Sequence, residues 1–137
     1  MLELNTRSIR AYALRGNAYL AYGKPMRAIA DYTEVITLSP AYYSAYNNRG
    51  EALFEMGQFR KALSDFKRAV ELSRGEPIAV GGLAITFHAL GNVEKARYLW
   101  NKLVARSPLY KSTAWIQQEF NWTAPLVEEA RKMIAKL

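Results

Sequence analysis

The sequence predicts an all-α protein built as a stack of antiparallel helix pairs. Three observations predict it: the chain repeats itself every 34 residues, apolar and small residues within each repeat fall at helical spacing, and each repeat carries a glycine between its two helical patterns. Small residues recur at Gly16, Gly50 and Ala84, and turn glycines at Gly23, Gly57 and Gly91. Alanines recur at Ala28, Ala62 and Ala96, and an aromatic at Tyr32, Phe66 and Trp100. Pro40 and Pro108 share a phase, with Arg74 between them. Five series held in register over three units, with no insertion, mark a tandem repeat.

The physics of one unit is plainest at residues 43–76. Tyr46, Gly50 and Leu53 share one helical face, and Ala62, Phe66 and Ala69 share another. Gly57 lies between them, where a helix C-terminus takes a left-handed residue. The small residues let the paired helices approach closely, and the aromatic fills the gap to the next pair. One pair cannot bury its apolar face alone, so neighbours must stack. HEAT and armadillo arrays have longer periods and are excluded on that ground.

Taken in order, residues 1–8 come first. Leu2-Glu3-Leu4-Asn5 parallels Ile36-Thr37-Leu38-Ser39 and Val70-Glu71-Leu72-Ser73, so this stretch is expected to be the end of a preceding repeat or an N-terminal cap. Residues 9–42 form the first unit, with helices expected at 9–22 and 25–38. Residues 43–76 form the second, with helices at 43–56 and 59–73, and residues 77–110 the third, with helices at 77–90 and 93–106. Gly81-Gly82 falls inside the fifth helix. Each glycine there costs up to ~1 kcal/mol relative to alanine, so that helix is the softest or a backbone approaches it closely. Residues 111–137 read as a degenerate fourth pair that caps the third unit. Ala130, Ile134 and Leu137 keep the repeat phase, whereas Ala114, Gln118 and Asn121 do not suit core positions. Thr123 is placed to cap a last helix, with Pro125 in its first turn and Glu128 and Glu129 near its positive end. Leu126, Val127, Ala130, Met133, Ile134 and Leu137 form one apolar stripe, with Trp115, Phe120 and Trp122 expected beneath it; the alternative is that these aromatics face a partner.

The pattern of aromatic, small, aromatic, Ala, aromatic, Ala and Pro resembles the tetratricopeptide repeat (TPR) family, and the first unit matches it at Tyr12, Gly16, Tyr19, Ala28, Tyr32 and Pro40 but departs at the second Ala, where Val35 stands. The second unit matches at Tyr46, Gly50, Ala62, Phe66 and Ala69, and departs at Leu53 and Arg74. The third is looser, with Val80, Ala84, Phe87, Ala96, Trp100, Leu103 and Pro108. The resemblance spans residues 9–110 and implies a TPR-type right-handed superhelix. It also implies a protein–protein interaction scaffold that binds a peptide or partner segment in a concave groove lined by the first helix of each repeat. On this chain the groove residues would be Arg10, Asn17 and Leu20 in the first unit, Asn47, Asn48, Glu51 and Phe54 in the second, and Ile85 and His88 in the third. Asparagine amides can grip a peptide backbone as donor and acceptor together, and Phe54 suits an apolar side-chain pocket. The competing reading is a solvated groove, or one filled by the chain's own terminus. One subset of the family clamps C-terminal carboxylates with three cations and two asparagines. Asn17 and Asn48 match the asparagines, but Ala13, Ile78 and Gly82 stand at the cation positions, so chaperone-tail binding of that kind is not expected.

Composition narrows the rest. The chain has 137 residues, half of them hydrophobic, a net charge of +7 and no cysteine. One domain fits that length, disulfides and thiolate metal sites are excluded, and a reducing, cytoplasmic setting is the expectation. No apolar run reaches the roughly 18 residues of a membrane span. His88 is the single histidine, Glu51 and Glu55 have no acid–base partner, and no phosphate-cradling glycine loop is present, so neither an enzyme nor a cofactor or metal is expected. The positive excess gathers on the second helices, at residues such as Arg60, Lys61, Lys67, Arg68, Lys95 and Lys102. Asp65, Glu71 and Glu94 interrupt it and aromatics are not interleaved, so nucleic acid is not the expected partner. Arg15 and Arg49 are expected to pair with carboxylates, Glu51 or Glu55 being the candidates. Other readings are a structural or oligomerising segment that self-associates through exposed repeat ends, and a chaperone for a secreted or unfolded client.

Overall fold

Turn glycines divide the chain into hairpins. Gly23, Gly57 and Gly91 adopt φ of 73°, 77° and 89°, a left-handed backbone that ends one helix and turns the chain into the next. The computed structural model describes residues 2–137. Its hairpins are α1 (Leu2–Ala21) with α2 (Pro25–Leu38), α3 (Tyr43–Glu55) with α4 (Phe59–Ser73), and α5 (Pro77–Ala89) with α6 (Val93–Arg106). A short 3-10 helix at Pro108–Lys111 leads to α7 (Thr113–Phe120) and α8 (Ala124–Ile134). Each helix packs on its hairpin mate, α2 packs on α3, and α4 packs on α5. The result is the all-α helical-repeat superhelix that the periodicity predicts, with no strand among the described residues.

Small residues opposite aromatic rings hold each hairpin together. A Cβ added at Gly16 would lie 2.8 Å from the Tyr32 ring, and one at Gly50 would lie 3.2 Å from the Phe66 ring. Tyr32, Phe66 and Trp100 are all essentially buried, as are Ala28, Ala62 and Ala96. Trp100 also donates from Nε1 to the Tyr110 carbonyl at 2.8 Å, which ties the 3-10 turn to the third hairpin.

A second brace differs from expectation. Arg15 and Arg49 do not pair with Glu51 or Glu55. Arg15 makes a two-pronged bond to Asp31 at 2.8 and 2.7 Å, and Arg49 makes the same bond to Asp65 at 2.7 and 2.8 Å. Each arginine faces its own hairpin mate, whereas Glu51 and Glu55 lie on a different face of α3. The equivalent positions of the third unit are Leu83 and Leu99. Leu83 is buried, and Leu99 packs against the same apolar cluster. The repeat therefore exchanges its ion pair for an apolar pair as a unit.

Two end segments also depart from the sequence reading. Residues from Leu2 onward continue α1 without a break, rather than forming a separate turn before residue 9; Met1 lies outside the described residues. No proline or glycine interrupts residues 2–15, so nothing stops the helix there. The last two helices do not extend the stack as a fourth pair. α7 has only 8 residues and ends at Asn121, whose φ of 53° reverses the chain. α8 then packs against α5 and α3 on the inner face of the superhelix. Of its stripe, Leu126, Val127, Ala130 and Met133 are buried, while Leu137 is exposed. Trp115, Phe120 and Trp122 join Tyr110 in one aromatic cluster, with centroid separations of 4.9–6.4 Å.

The paired glycines of α5 follow from this. A Cβ at Gly82 would lie 2.4 Å from the Phe66 ring, and one at Gly81 would lie 3.1 Å from the Trp122 indole. A close approach does form, but by side chains and not by a backbone: aromatic rings press on α5 from both sides.

Two stability measurements check this account. Gly82→Ala should destabilise the fold by about 1–3 kcal/mol in urea unfolding, through overpacking against Phe66, and Phe66→Leu in the same chain should recover part of the loss. Asp65→Ala should cost about 2 kcal/mol by stranding Arg49. The double change Arg49→Leu with Asp65→Leu, which copies the third unit, should lie within about 1 kcal/mol of wild type.

Candidate functional site

The inner face of the superhelix is lined by α1, α3 and α5, and α8 divides it. Over α5 and the end of α3 around Phe54 the face is closed. Phe54 and Ile85 are buried in the same apolar cluster as Trp122, Leu126, Val127, Ala130 and Met133. Asn47 is 3 % exposed and Glu51 5 %. His88 Nδ1 meets Glu129 Oε2 of α8 at 2.5 Å. An open groove along all three units is therefore corrected to one that the chain's own C-terminal helix fills over two of them. α5 explains why: from Pro77 to Ala89 it carries no charged residue apart from its single histidine. A helix apolar all round has no face to leave in water, so its inner side had to be covered.

The part left open lies over α1 and the adjoining part of α3. Arg10 and Asn17 are exposed there, Leu20 is buried and Asn48 is half-buried. Between α1, α3 and the Asn121–Thr123 crossing lies a cleft of about 260 Å³. Asn17, Asn48, Glu51, Asn121 and Thr123 supply its polar groups, and Leu20, Ile78 and Phe120 its apolar wall. Of the sequence-derived groove residues, Asn17, Leu20, Asn48 and Glu51 thus meet in one cleft. Arg10 does not line it, nor does the buried Asn47, and Phe54, Ile85 and His88 pack against or bond to α8.

Hydrogen bonds pre-arrange this cleft. Asn17 Oδ1 accepts from the Tyr32 hydroxyl at 2.7 Å and from Asn48 Nδ2 at 3.2 Å. Glu51 Oε1 accepts from the Thr123 backbone N–H at 2.9 Å, across 72 residues of chain. Thr123 stands at the N-cap position of α8, but its hydroxyl caps nothing there. That oxygen is buried without a partner, as are Asn47 Oδ1 and Glu55 Oε2. Burial pushes the Glu51 carboxyl from an ordinary 4.5 up to about 7, with Glu55 adding to the shift and the Thr123 N–H opposing it. Burial also raises Glu55. The Tyr32 phenol is raised by burial, then by Glu51 and by Asp31.

Sequence reasoning missed Phe120, Asn121 and Thr123 as parts of this site. Their spacing carries no repeat phase. The available signal was the all-apolar α5, which requires a cover that only the C-terminal stripe could supply.

The chain has clear likenesses among known proteins. Residues 43–75 match a tetratricopeptide repeat family model, and residues 16–57 match a second model described as a TPR repeat. No curated protein matches the chain by sequence. Among solved structures, the first TPR of Spaghetti (RPAP3), bound to the HSP90 peptide SRMEEVD, is 25 % identical with a TM-score of 0.70, over 95 % of this chain and 93 % of that one. The first TPR domain of human RPAP3 is 26 % identical with a TM-score of 0.68, over 91 % and 88 %. MamA is 21 % identical with a TM-score of 0.73, over 98 % and 79 %, and shows likeness of fold alone.

The raised Glu51 gives a pH test. Between about 4.5 and about 7 the folded chain holds a proton on Glu51 that the unfolded chain has released. Stability from this group therefore falls as pH rises through that window, by about 3 kcal/mol in total. Glu51→Gln keeps an acceptor for the Thr123 N–H and should remove that slope. Unfolding free energies of the two chains should converge near pH 4.5 and separate in favour of the variant at pH 8.

Proposed function

This chain is a tetratricopeptide repeat protein, and from that premise we propose that it is a protein-interaction scaffold whose concave face receives a short segment of a partner. The observation that carries the reading is the cleft over α1 and α3, the part of the inner face that α8 leaves open and already lined by oriented amide groups. A concave pocket with a few convergent polar groups is the usual form of a recognition site. The binding of a peptide by the first TPR of Spaghetti (RPAP3) supports the same mode.

The partner differs in charge from that peptide. SRMEEVD carries three acidic residues. Here the three positions that the carboxylate-clamping subset fills with cations hold Ala13, Ile78 and Gly82, and Gly82 has no room for any side chain beside Phe66. The partner segment is also short. α8 covers Phe54 and Ile85, so only a few residues of a partner reach the inner face.

A photo-crosslinking amino acid placed at Ala21, an exposed residue on the rim of the cleft, tests the reading in cells of the source organism. It should capture a partner that the same group at Ala105, exposed on α6, does not. Asn48→Ala should weaken that partner's binding about tenfold, the equivalent of roughly 1.4 kcal/mol, with the fold unchanged by circular dichroism. Equal capture from both positions would defeat the proposal.

A further inference from the structure

We infer that the cleft beside Glu51 is a receptor for a positively charged side chain, arginine by preference, carried by the bound segment. This rests on the reading of the concave face as the binding surface and names what that surface selects.

Glu51 is 5 % exposed, yet it makes no salt bridge among the described residues. Its one hydrogen bond comes from a backbone N–H. Buried carboxylates are normally paired with a cation or neutralised, and a chain with a net charge of +7 has cations to spare. Among the described residues no ion pair to Glu51 forms: Arg15 and Arg49 are committed to Asp31 and Asp65. Polar groups beside Glu51 are also short of partners, and of these the Thr123 hydroxyl belongs to a residue that lines the cleft. Asn47 lies one turn before it and is 3 % exposed, with an unpartnered Oδ1; Glu55 lies one turn after it, with an unpartnered Oε2. The Thr123 hydroxyl, in the wall of the cleft, is unpartnered as well.

The remaining groups select among cations. Asn17 and Asn48 are held by their own hydrogen bonds and present amides at the rim. Phe120 supplies an aromatic wall. A planar guanidinium can stack on a ring while it gives two parallel N–H bonds to a carboxylate, which a lysine ammonium cannot do. At 260 Å³ the cleft holds about nine waters, at ~30 Å³ each. That is room for one long side chain.

A structural duty alone does not account for the acid. Anchoring the Thr123 N–H needs only an acceptor oxygen, and a glutamine would give one without the burden of a buried charge. The acid adds what a glutamine lacks, a charge for an entering cation to meet once it ionises.

The probes are Nα-acetyl-arginine amide, its neutral isostere Nα-acetyl-citrulline amide, and the acidic peptide EEVD. Each is titrated into the full chain at pH 8 while the NMR signals of Asn17, Asn48 and Thr123 are followed. Arginine should shift all three saturably, citrulline should bind at least tenfold more weakly, and Glu51→Gln should reduce arginine binding to the citrulline level. Equal binding of arginine and citrulline, or unchanged arginine binding by Glu51→Gln, overturns the inference and assigns Glu51 to anchoring α8. Binding of EEVD in place of arginine overturns it too, but leaves the concave-face reading standing. Silence from all three probes also overturns it, and only if crosslinking at Ala21 fails as well does that broader reading fall.

Discussion

The structure depends on one steric constraint: within each hairpin a small residue must sit where the partner helix brings an aromatic ring. Gly16 under Tyr32 and Gly50 under Phe66 leave no room even for a methyl group without movement. Ala84 and Trp100 occupy the corresponding positions of the third unit, and both are fully buried. Close approach lets the rings fill the space between successive pairs, so the same contact that closes a hairpin also stacks it on its neighbour. Packing at this density tolerates little change in volume, which is why the spacing recurs without insertion.

The ion pairs illustrate how a repeat varies under that constraint. Arg15–Asp31 and Arg49–Asp65 bridge the two helices of their hairpins, and the third unit places leucines at both positions. A buried charge without its partner is far more harmful than the loss of the pair as a whole. Both members therefore change together. The third unit lies beneath α8 and the aromatic cluster, and it is correspondingly the most apolar of the three.

The same helix links architecture to binding. α5 needs cover on its inner side, and α8 provides it by turning back at Asn121 into the concavity. This shortens the open part of the inner face to the region over α1 and the adjoining part of α3. It also brings Thr123 against Glu51 and so builds a cleft around a carboxylate that burial holds near neutrality. A face expected to be long and mixed becomes short and acceptor-rich. Asn17, Asn48 and Glu51 were legible as groove residues because they share a helical face at a known repeat phase. Phe54 and Ile85 were read with the same rule and are buried, because the rule describes one helix and says nothing of what a distant segment lays upon it.

The sequence by itself determined the helices, their pairing and the turn at each glycine, because these rest on contacts a few to some thirty residues apart whose periodicity is written into the chain. It also marked the C-terminal stripe as a helix with one apolar face. Only the tertiary structure decided where that face would go. Stacking on the outer end and folding into the concavity bury similar stripes. The choice rested on the left-handed turn at Asn121, the space at Gly81 for the Trp122 indole, and the bond from Thr123 to Glu51 72 residues away. No local pattern encodes a meeting of groups so far apart in the chain.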